Sequence, residues 1–71
     1  MADLPFWISR SGHDPSAEVA SVETRLAGRK VMRYMLENAE EDGPLFLFGP
    51  GITLPDRCMF DDDGNIVIDF I

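Results

Sequence analysis

The chain holds one cysteine, one histidine and no apolar run longer than the four residues Leu45–Phe48. A single thiol, Cys58, excludes an internal disulfide and any multi-cysteine zinc site. His13 has no histidine partner, so a metal would have to be held by carboxylates, and the expectation is no metal and no cofactor. An apolar run of four falls far short of the roughly 20 residues that cross a bilayer. Met1–Arg10 lacks the basic start and apolar stretch of a secretory signal. These absences predict a reduced, cytoplasmic chain with no membrane contact, whose lone cysteine is a buried apolar side chain.

Basic residues are also scarce, and unevenly so. Net charge is -7 over 71 residues. Residues 1–36 carry four acids against five bases, whereas residues 37–71 carry nine acids and only Arg57. A face of one sign attracts basic partners and repels nucleic acid and anionic headgroups, so direct nucleic-acid binding is not expected. Seventy-one residues make a single domain, 1–71, that buries only about 60% of its unfolded surface. With 45% apolar residues it should fold, with self-association or a partner as the remaining sources of stability.

Along the chain, Leu4–Ser9 has aromatic and branched residues suited to a strand, with Pro5 restricting it to an edge or to a start at Phe6, which predicts a short edge strand or an ordered arm. Asp14-Pro15 has the form of a helix cap followed by proline at the first helical position, and Asp42-Gly43-Pro44 that of a helix stop. Between them a helix over about 15–41 is predicted. Its apolar residues change phase near Gly28: Val19, Val22 and Leu26 lie on one side, and Met32, Met35, Leu36 and Ala39 on nearly the opposite side. Two arrangements account for this. Either the helix is kinked at Gly28, or it is straight and presents Val19, Val22 and Leu26 to a second chain.

After residue 44 the pattern alternates with period two. Leu45–Phe48 is a strand, Ile52–Leu54 a candidate short one after the Gly49-Pro50-Gly51 turn, and Arg57–Phe60 and Asn65–Ile71 flank Asp61-Asp62-Asp63-Gly64 as a β-hairpin. On the last strand Ile66, Ile68 and Phe70 should face the core, with Val67, Asp69 and Ile71 on the other side. The predicted fold is α+β: one long or kinked helix on a small, mainly antiparallel sheet with a C-terminal β-hairpin.

No constellation carries specific chemistry. Asp61, Asp63 and Gly64 imitate the middle of an EF-hand loop, but position 1 would be Met59 and position 12 Phe70, so calcium has neither its first ligand nor its bidentate glutamate. His13, Asp14 and the serines nearby are adjacent turn residues, not a triad converging from separate elements. An enzyme is not expected. Arg25, Arg29 and Arg33 recur at every fourth residue as a basic stripe, best explained by pairing with neighbouring carboxylates. Glu37, Glu40, Glu41 and Asp42 crowd a helix C-terminus, where the dipole disfavours negative charge by a few tenths of a kcal/mol each. With Asp61, Asp62 and Asp63 they form two acidic clusters separated by a strand or two.

A short, acidic α+β chain with such clusters resembles, in size, charge and fold class, the phage-encoded anti-CRISPR inhibitors and other nucleic-acid mimics. The resemblance implies a non-enzymatic inhibitor or adaptor whose acidic half, through Glu37, Glu40, Glu41, Asp42, Asp61, Asp62 and Asp63, docks on the basic surface of a protein or nucleoprotein complex. The alternative is a structural or assembly subunit that forms a homodimer, or docks on a larger assembly, through Phe6, Trp7, Val19, Val22 and Leu26.

Overall fold

The structure, a computed structural model, describes residues 4–12 and 17–70, without the side chain of Phe70. The elements are β1 (Phe6–Ser9), β2 (Glu18–Val22), α1 (Arg25–Glu37), β3 (Leu45–Phe48), β4 (Asp56–Phe60) and β5 (Ile66–Phe70). All strand pairs are antiparallel, in the order β2-β1-β3-β4-β5. The helix lies across one face of this sheet and touches every strand. The chain is therefore α+β, as its patterning predicts.

Leu45–Phe48 is apolar throughout because it is the central strand. Leu45 and Leu47 are fully buried beneath α1, while Phe46 and Phe48 point to the opposite face, where Phe48 stacks on Trp7 with ring centroids 5.8 Å apart. Ile8 pairs with Leu47, and Cys58 with Leu45 and Ile68, on the helix side. Met32 and Leu36 descend from α1 to complete the core. Ile66 and Ile68 pack against that core and Val67 is exposed, as the alternation in β5 requires.

The helix is shorter than its residue composition suggests, and it is not kinked. Residues 18–22 form β2, an edge strand paired with β1, and α1 begins at Thr24, whose Oγ1 accepts a hydrogen bond from the Ala27 N–H at 3.0 Å. The phase change near Gly28 is the passage from strand to helix: Val19 and Val22 reach the core from a strand, Met32 and Leu36 from a helix. Gly28 sits mid-helix because a Cβ there would lie 2.5 Å from Leu47 Cδ1, so its absence lets the helix approach the central strand. The Asp14-Pro15 start falls outside the described residues.

The helix also ends earlier than Gly43. Asn38 caps it, Ala39 takes φ 56, and Glu40 N–H donates to Met35 C=O at 2.9 Å while Ala39 N–H donates to Leu36 C=O at 3.3 Å. This is a Schellman motif with alanine where glycine is usual. Two further expectations change. β1 starts after Pro5, as its missing N–H demands, but it lies between β2 and β3 and is not an edge. Ile52–Leu54 forms no strand, and follows a turn in which Ile52 N–H donates to Gly49 C=O at 3.1 Å.

Candidate functional site

Strand register determines where the acidic segments lie. Leu45 pairs with Cys58 and Leu47 with Asp56, so β4 runs on past the start of β3 before turning at 61–65. The hairpin tip therefore lies at the sheet end where residues 40–44 enter β3. The C-terminal end of α1 reaches the same end, because the helix starts beside the far end of β2. Register thus brings the two acidic clusters, 37–42 and 61–63, to one end of the molecule.

Within the clusters the carboxylates have different partners. Glu41 is held by Arg10, whose Nε and Nη2 donate to its two oxygens at 2.6 and 2.7 Å, and these bonds hold its carboxyl below the usual carboxylate range. Asp61 Oδ1 accepts from the N–H groups of Asp63 and Asn65 at 2.9 and 2.8 Å. Gly64 follows at φ 84, its N–H donating to Asp61 C=O at 3.1 Å. Asp61 is thus a turn-former, with the oxygen that imitates a calcium ligand already engaged by backbone. Glu37, Glu40, Asp42, Asp62 and Asp63 are exposed and make no ion pair among the described residues. The seven predicted contact residues are thus two structural carboxylates and five open ones.

Two residues of the arginine stripe, Arg25 and Arg29, perform a different task at the opposite end of the sheet, whereas Arg33 makes no ion pair among the described residues. Asp56, at the start of β4, is fully buried. Arg25 grips both its oxygens, Nε to Oδ2 at 2.8 Å and Nη2 to Oδ1 at 2.7 Å, and Arg29 Nε donates to Oδ2 at 3.0 Å. The Arg25 bonds hold the Asp56 carboxyl below its ordinary range, against the opposing effect of burial. Arg25 and Arg29 thus pair with a carboxylate of the same chain, one that lies 31 and 27 residues away in sequence. Spacing along the helix showed that the arginines share a face, but nothing local singled out Asp56 among thirteen acids.

The alternative contact set does not form one patch. Val22 is 6% exposed and belongs to the core, Val19 and Phe6 pack against it, and Trp7 points to the other side of the sheet. Leu26, which lies on the helix, is open at 63% exposure.

Burial pushes the Cys58 thiol up, with the positive charge of Arg33 only partly opposing, so the thiolate is disfavoured. Among the described residues no three His, Cys, Asp or Glu side chains are grouped to hold a metal, and no helix is long and apolar enough to cross a membrane. His13 and Asp14 lie outside the described residues. No family model, curated protein or solved structure matches the chain, so its own topology and charge distribution are what bear on its function.

Proposed function

We propose that this protein is a non-enzymatic inhibitor or adaptor that docks its acidic end on the basic surface of a protein or nucleoprotein complex, in the manner of the small anti-CRISPR inhibitors it resembles. The observation that carries this reading is the convergence of Glu37, Glu40, Asp42, Asp62 and Asp63 at one sheet end with no ion pair among the described residues, while Arg25, Arg29 and Arg57 are engaged elsewhere by Asp56 and Asp69. The helix ends at Glu37, so of the acidic residues predicted to crowd its C-terminus only Glu37 stands in the last turn against the helix dipole. A complex that normally grips nucleic acid offers the complementary charge, and a cytoplasmic setting follows from that partner.

Capture on the immobilised protein tests the reading. Wild type should retain a basic nucleic-acid-processing complex at low salt and release it to high salt or to competing DNA. The variant E40K/D42K/D62K/D63K, which spares the two structural carboxylates Glu41 and Asp61, should retain none. Retention undiminished by that reversal would sink the electrostatic mechanism.

A further inference from the structure

The two edges of the sheet differ in how open they are. Next to β2 the register slips between Ile8 and Ser9, and β2 carries exposed Glu18 and Ser21. Irregularity and charge of this kind blunt an edge. β5 has neither. It pairs without interruption from Phe60↔Ile66 to Asp56↔Phe70, and its sequence Ile-Val-Ile-Asp-Phe has no proline, glycine or lysine. Its one charge, Asp69, is matched within the chain by Arg57, whose Nε and Nη2 donate to its carboxylate at 3.1 and 3.0 Å.

The hairpin also determines which main-chain groups are unpaired. Asp61 N–H donates to Asn65 C=O at 2.8 Å, which makes these a hydrogen-bonded pair. Antiparallel ladders alternate, so Val67 and Asp69 turn their N–H and C=O groups toward β4. Those of Ile66, Ile68 and Phe70 face out from the edge. A row of donors and acceptors at strand spacing is complemented by another extended strand.

We propose that β5 is a dimerisation edge, pairing antiparallel with β5 of a second copy of this chain about a two-fold axis at Ile68. In this register Ile68 exchanges main-chain hydrogen bonds with its own equivalent, Ile66 does so with Phe70, and Val67 stands opposite Asp69 in a close non-hydrogen-bonded pair. Charge favours a second copy over an unrelated strand. Each molecule is bipolar, with open carboxylates at the hairpin-tip end and, at the other, Arg25 and Arg29 sharing the one buried carboxylate of Asp56, which leaves one positive charge over. Antiparallel pairing sets the acidic end of one copy beside the arginine-bearing end of its mate and keeps the two aspartate tips apart. Both helices then lie on one face, and the half-buried Ile66 and Ile68 and the exposed Val67 gain neighbours. The inference does not depend on what the acidic clusters bind, since the pairing is made by the β5 edge.

Sedimentation and amide exchange on the whole chain test it together. From micromolar to millimolar concentration the protein should pass from monomer to dimer and no further. The Ile66 and Ile68 amides should gain protection over the same range, with those of Val67 and Asp69 protected throughout. V67D sets like charges face to face twice in the dimer and should weaken it about tenfold, whereas V67K, opposite the same aspartate, should leave it intact or tighten it. Val67 is exposed in the monomer, and protection of the Val67 and Asp69 positions reports that each variant still folds. A monomer at millimolar concentration overturns the proposal. So does growth beyond dimer with protection spreading to Glu18–Val22, which would mean edge-to-edge pairing of β5 with β2. Equal weakening by V67D and V67K would discard the register.

Discussion

Asp56 and Asp62 sit on the same β-hairpin, six positions apart in sequence, yet one is fully buried and gripped by two arginines while the other is exposed with no ion pair among the described residues. The two ends of the sheet repeat that contrast. At the end where α1 begins, the buried charge serves cohesion: Asp56 ties the first two turns of the helix to the start of β4. At the end where α1 stops, charge faces outward, and only Glu41 and Asp61 serve the fold. A net charge of -7 therefore understates the asymmetry that matters. Part of the acidity is neutralised inside the domain, and the excess is concentrated on one pole.

Stripping the buried pole should have the largest effect. The double variant R25A/R29A strands the Asp56 carboxylate in the core, and chemical denaturation should register a loss on the order of 2–3 kcal/mol, less than a fully enclosed pair because water reaches the guanidinium side. A loss no larger than that from a surface substitution would mean that the end is held by packing alone.

Titration sharpens the same contrast. The folded-state pKa of Asp56 is depressed by its arginines, so its contribution is present above the unfolded value of about 3.9 and is lost as pH falls through the lower folded value. Wild type should lose stability in acid below about pH 4. In R25A/R29A the sign reverses, because burial without a counter-charge raises the pKa, and that variant should become more stable as pH falls toward 4. Denaturation midpoints across that window, with D56N as the control that lacks this contribution, distinguish the two.

Smaller effects belong to the acidic pole. D61A removes the acceptor for two backbone N–H groups at the hairpin tip and should cost about 1 kcal/mol by thermal melting, whereas D62A should cost nothing measurable. A39G relieves a left-handed alanine in the helix cap and should stabilise by up to about 1 kcal/mol. Smallest of all should be E40K/D42K/D62K/D63K, within about 0.5 kcal/mol of wild type or slightly more stable, despite its proposed loss of binding. A collapse of the fold in that variant would erase the distinction between cohesive and outward-facing charge.

Much of the architecture is legible locally. The period-two alternation of β5, the Asp-Asp-Asp-Gly tip, the start of β1 after Pro5 and the burial of Cys58 each follow from a few adjacent residues whose backbone or packing needs have one solution. β2 was not legible, because Glu-Val-Ala-Ser-Val mixes good helix formers with branched residues and only pairing with β1 decides between them. The phase change at Gly28 was a true signal with a third explanation, a strand followed by a helix. At the candidate site, the residue types were visible, but the division of the seven carboxylates into five open and two structural was not. That division depends on Arg10 meeting Glu41 across 31 residues and on the turn geometry around Asp61.

The sequence by itself determined the α+β class, the hairpin, the apolar central strand and the lopsided charge, because these depend on periodicity, turn chemistry and composition. Tertiary structure alone decided that the chain enters its helix from a paired strand, that Asp56 is buried beneath Arg25 and Arg29, and that both acidic segments reach one end of the sheet. The physical reason is common to all three. Each depends on which strand lies beside which and in what register, and register is set by burying one face of every strand at once, a condition on the whole domain that no local stretch of residues expresses.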